Sequence, residues 1–474
     1  MKAVSQFFSS YNSSKGAYLF TGIFLVSAIT LIVFANGTCD EGDSVMHYQF
    51  ARWSWAHPAL FFHHWAKPLY VLLASPLAQF GFNGIKVFNV LTACLCMLLT
   101  YKTCYKLAIP RSSLVIVLLA MAPAWLKHSL SGLTEPLFAC IMCLSIFLYL
   151  KNRIVLAIII VSFLPFIRSE GLIIAGIFGL LLLVERRWKI IPLLLTGHLV
   201  YGIAGAFIHG TVLWVFTHIP YARLGSVYGI GTWGHFFSNL PVITGIPLLV
   251  LLVAGLAYGL KELLTKSLIG RETLLVYGCF VSYFLAHVIF WALGIFNSFG
   301  MLRVLVAVMP LMAIIQLRGL NMLALLPFPK LIIRTAIVAV LLFPFVPENH
   351  YSWKFDRDFK LGNDQMLQLQ MGKYIRQHFS DYQQRRYYFD ANYISVVMDF
   401  DFFDEQKSRR VSEWVAQSDN KPCFVIWDDW YCAFEGGIPL DKLLHDQNLI
   451  LVKEFSVVYG NGPARRTVLF INSP

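Results

Sequence analysis

Charged residues are scarce in this chain, and the scarcity is confined to one part of it. Only 14% of the 474 residues are charged and 57% are hydrophobic, whereas a soluble globular chain has about 25% charged residues. Most of the 26 acidic residues lie in 348–474. The acidic residues of 1–347 are Asp40, Glu41, Asp43, Glu135, Glu170, Glu185, Glu262 and Glu272. This distribution excludes a soluble first part, and it divides the chain into a transmembrane module, 1–347, and a soluble domain, 348–474.

Several functional classes are disfavoured because their motifs are missing. The sequence has neither the cysteine and histidine spacing of a zinc site nor a nucleophile–histidine triad. The net charge of +12 does not require a nucleic-acid partner, because lysine and arginine in the loops of a membrane protein orient it in the bilayer. We therefore expect a lipid bilayer and no nucleic acid among the partners.

The hydrophobic runs predict an all-α polytopic membrane bundle with about eleven spans, since a helix needs about 20 apolar residues to cross the hydrocarbon core. The predicted spans centre on 17–35, 86–101, 112–127, 134–150, 154–167, 171–184, 190–213, 242–260, 274–294, 300–317 and 331–347. Lysine and arginine are more frequent in the loops on the side of the N-terminus, which predicts that this side is cytoplasmic. An odd number of spans then places the C-terminal domain outside. We expect the membrane itself to be a bacterial inner membrane rather than an endoplasmic reticulum.

The polar residues of the membrane part gather at the external ends of the predicted spans. The acidic ones are Asp40, Glu41, Asp43, Glu135 and Glu170, and the arginines at the same level are Arg168, Arg223 and Arg303. Ionisable groups near lipid are costly and tend to face a cavity or one another. We therefore expect a single polar site on the external side. The loop after the first span, rich in Trp and Tyr, predicts two interfacial helices.

Four sequence elements resemble the C-class integral-membrane glycosyltransferases, including protein O-mannosyltransferases and aminoarabinose-transferase-like enzymes. The first is the acidic pair Asp40-Glu41 with a Lys-Pro-Leu-Tyr run that begins at Lys67 downstream. The others are Ser-Gly-Leu-Thr-Glu135-Pro, Arg168-Ser-Glu170-Gly and Gly300-Met-Leu-Arg303. The resemblance covers 1 to about 345 in hydropathy and spacing. It implies transfer of a sugar from a polyprenyl-phosphate donor to an acceptor hydroxyl of a lipid, glycan or protein at the external membrane face.

The residues that this chemistry requires can be assigned to roles. A carboxylate must take the proton of the acceptor, and the match to the family gives that role to Asp40, with Glu41 orienting it or sharing the role. Alternatively, Asp40 and Glu41 cap an interfacial helix. Cations must hold the phosphate, and arginine does so through bidentate contacts. The residues predicted to bind substrate are Lys67, Glu135, Arg168, Glu170, Arg223, Tyr228, Arg303, His57, His63 and His64, with Arg168 pairing with Glu170.

The sequence leaves open a divalent metal and two other functions. Some family members carry an explicit Asp-x-Asp metal motif, which only Glu41-Gly-Asp43 approximates here, so Mg²⁺ or Mn²⁺ with Asp43 as a ligand is one expectation. The alternatives to sugar transfer from a lipid phosphate are an O-antigen ligase or polymerase and a secondary transporter or lipid-linked-sugar flippase. Against a transporter, the middle of the spans is almost free of charge, whereas transporter sites usually lie at the midplane.

The domain from 348 onward is predicted to be α/β. Residues 364–380 have the pattern of an amphipathic helix, and 405–417 and 439–446 are predicted helical links. The predicted strands are 387–398, 423–428, 449–455 and 466–472. In an oxidising compartment Cys423 and Cys432 would be able to form a disulfide.

Overall fold

The computed structural model describes residues 13–220, 226, 228–265, 270–347, 349–458 and 464–472. These residues form two compact units. The first comprises the chain up to Ala35 together with Ala59–Asp358, and the second comprises Asn36–Pro58 together with Phe359–Pro474. The sequence had assigned 36–58 to the transmembrane module, so the observed grouping differs from that division.

The first unit is helical, as expected for a polytopic membrane protein. Among the residues described, six helices are long and apolar enough to cross a membrane: Ser14–Phe34, Gly81–Lys106, Trp188–His209, Ile246–Thr265, Thr273–Ala292 and Leu302–Leu325. Shorter apolar helices are Pro68–Ala78, Glu135–Leu150, Ile154–Phe166 and Gly171–Val184, and further helices are Leu114–Ala120, Pro123–Ser129 and Pro329–Leu342. The chain is a multi-pass membrane protein, and the count of eleven spans stays a prediction.

Proline and glycine determine where some of these helices break or touch. The run predicted as one span at 112–127 is two short helices, because Pro123 has no amide hydrogen for a continuous helix and instead starts the second one. Helices Ile246–Thr265 and Leu302–Leu325 pack at their glycines. A Cβ atom on Gly255 would lie 1.9 Å from the carbonyl oxygen of Ile315. The absence of a side chain therefore permits close backbone contact, as at many helix interfaces in membranes.

The second unit contains a five-stranded mixed sheet with helices on both faces. The strands are β1 (Arg386–Phe389), β2 (Ser408–Arg409), β3 (Cys423–Asp428), β4 (Leu449–Val458) and β5 (Ala464–Asn472), in the order β2-β1-β3-β5-β4. Strand β1 is parallel to β2 and β3, and β5 is antiparallel to β3 and β4. The α/β prediction for this region is confirmed.

Alternating side chains of the strands form the two cores of this sheet, since successive residues of a strand point to opposite faces. One face packs Tyr387 and Phe424 under helix Asn363–His378. The other face packs Val425 and Trp427 under the short helices Val411–Ala416 and Leu440–Leu444. Helix Asp43–Trp53 also belongs to this unit.

Three details of the C-terminal prediction are wrong. The predicted helical link 405–417 contains strand β2, and its helix is confined to Val411–Ala416. The predicted strand 387–398 ends at Phe389, and Tyr393–Met398 is a helix, because the neighbouring β2 has only two residues and β3 pairs only with Arg386–Phe389. Cys423 and Cys432 are both free. Cys423 begins β3 and Cys432 follows its end, so an extended strand separates the two thiols.

Candidate functional site

A group of buried charged residues lies in the first unit, at the ends of apolar helices. Arg168 is at its centre, in the turn between helices Ile154–Phe166 and Gly171–Val184. Its Nη1 lies 2.7 Å from Oε1 of Glu135, and its Nη2 lies 3.0 Å from Oε1 of Glu170. The Nε of Arg303 lies 3.8 Å from the same oxygen of Glu135. The predicted pairing of Arg168 with Glu170 is therefore confirmed.

Lys67 belongs to the same group. Its Nζ donates a hydrogen bond to Oγ of Ser169, between Arg168 and Glu170 in sequence, at 2.8 Å. Its backbone has φ 69° and ψ 94°, outside the regions that non-glycine residues normally occupy, and such strain is concentrated at functional sites. Lys67, Glu135, Arg168, Glu170 and Arg303 are called the ion cluster below.

Burial and charge pairing determine the protonation of the ion cluster. Burial lowers the pKa of Lys67 to about 8, although the Glu170 carboxylate opposes this shift. Burial would raise the pKa of Glu170, but the guanidinium of Arg168, followed by His287, outweighs it and lowers that pKa to about 2. Glu135 has a side chain only 1% exposed. Three of the five residues are basic and two are acidic, so the ion cluster has one more basic than acidic side chain.

Further residues line the ion cluster, and two of them, Tyr283 and His287, were not predicted from the sequence. Thr134 accepts a hydrogen bond from Nη1 of Arg168 at 3.2 Å. His287 Nε2 lies 3.7 Å from Oε1 of Glu170, and Tyr283 is fully buried beside it. Tyr283 and His287 are four residues apart in an apolar span, which is a signal that polar side chains in a membrane helix share one face.

The acidic residues of the first loop belong to the second unit. Asp40 Oδ1 accepts hydrogen bonds from the backbone N–H groups of Gly42 at 3.1 Å and Ser44 at 3.2 Å. Ser44 is in the first turn of helix Asp43–Trp53, so Asp40 satisfies an amide that has no partner within the helix. The capping alternative is therefore correct for Asp40, and a catalytic role for it stays a prediction.

Glu41 has a different environment from Asp40. Its carboxylate lies against Gly362, where a Cβ atom would come within 1.5 Å of Oε1. Burial, followed by repulsion from the carboxylates of Asp364 and Asp40, raises the pKa of Glu41 to about 7, although Arg465 acts in the opposite direction. Glu41 is therefore a carboxylate whose charge changes near neutral pH, as a general base requires.

The remaining predicted residues are distributed over both units. Each loop histidine has a partner: His57 Nε2 lies 2.8 Å from Asp401 Oδ2, His63 Nδ1 accepts from the N–H of Ala66 at 3.3 Å, and His64 Nε2 lies 3.2 Å from the Val215 carbonyl oxygen. The ring of Tyr228 stacks on Phe299 at 4.2 Å. Arg223 lies outside the described residues.

Asp43, the predicted metal ligand, is the first residue of helix Asp43–Trp53. In the part of the chain that the structure describes, no group of three or more His, Cys, Asp or Glu side chains is arranged to hold a metal ion. Dependence on a divalent metal stays a prediction.

The residues expected to form a single polar site belong to both units, and each unit is described by itself. The ion cluster of the first unit unites Glu135, Arg168, Glu170 and Arg303 with Lys67, whereas Asp40, Glu41 and Asp43 lie in the second unit. The arrangement of the ion cluster suits an anion, because it has buried cations that are partly neutralised by fixed carboxylates.

The chain has the fold of solved structures of ArnT, in which membrane helices precede a C-terminal unit, and this agrees with the resemblance seen in the sequence. The solved structures that it resembles include two of ArnT from Cupriavidus metallidurans. The structure of ArnT bound to undecaprenyl phosphate aligns with a TM-score of 0.61 and 12% identity, over 97% of this chain and 98% of that one. The apo structure aligns with a TM-score of 0.57 and 12% identity, over 96% and 97%. The chain matches no protein-family model and none of the curated protein sequences compared with it.

Proposed function

We propose that this protein transfers a sugar from a polyprenyl-phosphate-linked donor to an acceptor hydroxyl. The single observation that carries the proposal is the ion cluster, in which the largely buried Lys67, Arg168 and Arg303 lie together with Glu135 and Glu170. A sugar phosphodiester of a polyprenol carries one negative charge, which lysine and arginine side chains bind through charge-assisted hydrogen bonds.

The ion cluster is costly to maintain unless it binds a ligand. Desolvating charged groups costs several kcal/mol per ion, and ionisable groups at membrane level usually serve a function. Arg168 is held by two carboxylates, so its guanidinium has a fixed orientation before a ligand arrives. Preorganised cations of this kind stabilise charge that develops in a transition state.

The fold supports the same conclusion. One of the similar ArnT structures has undecaprenyl phosphate bound, and we transfer that ligand class to this protein as part of the proposal. Since the alignment extends over 97% of this chain, it includes both the membrane helices and the C-terminal α/β unit.

The proposed reaction replaces one bond to the anomeric carbon by another. The bond from this carbon to the phosphate oxygen breaks, the polyprenyl phosphate leaves with the electron pair, and the acceptor oxygen bonds to the carbon through an oxocarbenium-like transition state. The acceptor's proton passes to a carboxylate, for which Asp40 and Glu41 are the candidates. Arg168, Arg303 and Lys67 stabilise the leaving phosphate.

The test is transfer from a panel of radiolabelled polyprenyl-phosphate sugars by the purified protein, with two matched arginine variants. Arg168 and Arg318 are both 15% exposed and both paired with glutamate, Arg318 with Glu272 at 2.7 Å. We expect Arg168→Gln to lose donor binding and turnover, whereas Arg318→Gln loses only stability. Equal loss of donor affinity in the two variants would contradict the proposal. So would the absence of both sugar transfer and slow donor hydrolysis with every donor, and either result would favour the transporter alternative.

The proposed location is the bacterial inner membrane with the C-terminal unit in the periplasm. This rests on the lysine and arginine distribution of the loops. Labelling of single cysteines introduced at 40–67 and beyond 359 in intact cells tests it. A cytoplasmic C-terminal unit would contradict the predicted topology without affecting the ion cluster.

A further inference from the structure

Tyr283 and His287 present polar groups on one face of helix Cys279–Ala292. They are separated by four residues, so they are neighbours on the helix surface, and their ring centroids are 4.7 Å apart. Tyr283 is 0% exposed and His287 is 5% exposed. Each is thus a polar side chain enclosed within an otherwise apolar span.

Besides the carboxylate oxygens of Glu135, of which Oε1 is ion-paired with Arg168, three buried polar atoms at this place have no hydrogen-bond partner among the residues that the structure describes. They are the hydroxyl oxygen of Tyr283, Nε2 of His287 and Nε of Arg168. His287 Nε2 is 3.7 Å from Oε1 of Glu170, which is too long for a hydrogen bond. A buried polar group without a partner is destabilising, and native proteins rarely retain several of them together. Their convergence indicates a place where a ligand binds.

The chemistry of the three groups defines what this ligand offers. A tyrosine hydroxyl, an imidazole with its proton on Nε2 and a guanidinium N–H all donate hydrogen bonds. The charged groups that act on Tyr283 and His287 are Glu170, Arg168 and, for Tyr283, Glu135. The ligand must therefore supply acceptor oxygens, and the excess of basic side chains in the ion cluster favours an anionic acceptor.

We propose that Tyr283 and His287 bind the phosphate group of the polyprenyl donor and product, as uncharged donors beside Arg168. This rests on the proposed function, which supplies the phosphate. The ion cluster then provides charge, and the Tyr283–His287 face provides direction, because a hydroxyl and an imidazole on one helix fix the position of the phosphate oxygens.

The experiment measures binding of undecaprenyl phosphate, undecaprenol and inorganic phosphate to the purified full chain and its variants. The matched control is Tyr277, on the same helical stretch, whose hydroxyl donates to the Gly255 carbonyl oxygen at 3.3 Å. Tyr283→Phe should weaken undecaprenyl phosphate binding about tenfold to a hundredfold, as expected for loss of a hydrogen bond to a charged group. Tyr277→Phe should leave that affinity unchanged.

Thermal unfolding of the ligand-free variants distinguishes binding from packing. Tyr283→Phe removes a hydroxyl that has no partner among the described residues, so its Tm should equal or exceed that of the wild type. Tyr277→Phe removes a hydrogen bond that is made, so its Tm should fall. His287→Leu should lose affinity for undecaprenyl phosphate, and His287→Gln, which keeps a donor, should recover part of it.

The results that would overturn the inference are distinct from those that would overturn the proposed function. If wild type prefers undecaprenyl phosphate to undecaprenol but Tyr283→Phe and His287→Leu bind it equally well, the Tyr283–His287 assignment fails alone. Equal losses for undecaprenyl phosphate and undecaprenol would also refute it, because the phosphate would not be the group recognised. If inorganic phosphate binds as tightly as undecaprenyl phosphate, the ligand is free phosphate and the assignment to the lipid is wrong. If wild type does not distinguish undecaprenyl phosphate from undecaprenol, the proposed function fails as well.

Discussion

The affinity of the protein for a phosphodiester donor should fall as the pH rises above about 8, because Lys67 then loses its charge. Burial lowers the pKa of this residue from 10.5 to about 8. Its Nζ is held by Ser169 Oγ at 2.8 Å, so it has little freedom to reach solvent. A phosphodiester keeps one negative charge throughout this pH range, and the ammonium of Lys67 is therefore the group that titrates.

The magnitude follows from the size of the shift. A pKa of about 8 in place of 10.5 means that the charged form of Lys67 costs roughly 3 kcal/mol. With a pKa of about 8, the charged fraction of Lys67 falls from about a half at pH 8 to about a tenth at pH 9, so donor affinity should decrease about fivefold over this interval. A bound phosphate stabilises the ammonium of Lys67 and therefore raises the pKa of Lys67 in the complex. The decrease in donor affinity ends once the pH exceeds that higher pKa. For folding, the unfolded state binds more protons between about pH 8 and 10.5, so this group's contribution to the free energy of unfolding rises with pH there.

The assay is equilibrium binding of a non-transferable phosphodiester analogue from about pH 6 to about pH 10. Lys67→Arg keeps its charge over this range and should give a flat profile. Lys67→Met should bind weakly at every pH. Lys127→Met is the control, because Lys127 pairs with Asp358, and it should keep the wild-type profile. A flat wild-type profile, or a decrease that persists in Lys67→Arg, would refute the reasoning.

Three further predictions concern other charges. Arg168→Met leaves Glu170 without its counter-ion and should cost roughly 3–5 kcal/mol of stability, measured by unfolding in detergent; a cost below about 1 kcal/mol would contradict the buried pairing. Burial raises the pKa of Asp428 to about 7, so wild-type stability should decrease from about pH 4 to about pH 7. Asp428→Asn should remove that decrease in thermal unfolding, and an unchanged pH profile would refute the assignment. Asp40→Asn should lower turnover about a hundredfold or more if Asp40 is the base, with a smaller effect of Glu41→Gln; normal turnover in both variants would exclude this pair.

The membrane fold could be predicted from the sequence because the apolar runs, and the polar residues at their ends, determine which segments lie in the membrane. The same reasoning brought Glu135, Arg168, Glu170 and Arg303 to one level of the bilayer, since a span fixes the depth of the residues at its ends. Sequence could not reveal that Arg168 bridges both glutamates, because this depends on how helices far apart in the chain pack. Tyr283 was missed because an aromatic residue in an apolar span is ordinarily a packing residue.

The grouping of 36–58 with the C-terminal unit could not be predicted for a related reason. It depends on contacts with a segment more than 300 residues away: Gly37 donates its N–H to the Phe359 carbonyl oxygen at 2.9 Å, and Thr38 Oγ1 lies 2.7 Å from Nε2 of Gln365. No hydropathy pattern encodes such partners. A boundary read from composition follows the hydrophobicity of the chain, whereas compact units follow its contacts.

The pair Asp40-Glu41 illustrates how adjacent residues of similar chemistry acquire different properties. Order along the chain and resemblance to a family favour Asp40 as the base. However, Asp40 accepts two backbone hydrogen bonds at the start of helix Asp43–Trp53, which gives it a structural role. Glu41 has a pKa of about 7, raised by burial and by two neighbouring carboxylates, which matches the pKa that favours proton transfer at neutral pH. If Glu41 rather than Asp40 takes the proton, kcat/KM should fall as the pH decreases below about 7, and Glu41→Gln should abolish turnover while Asp40→Asn mainly lowers Tm. The opposite order of effects would support the assignment made from sequence.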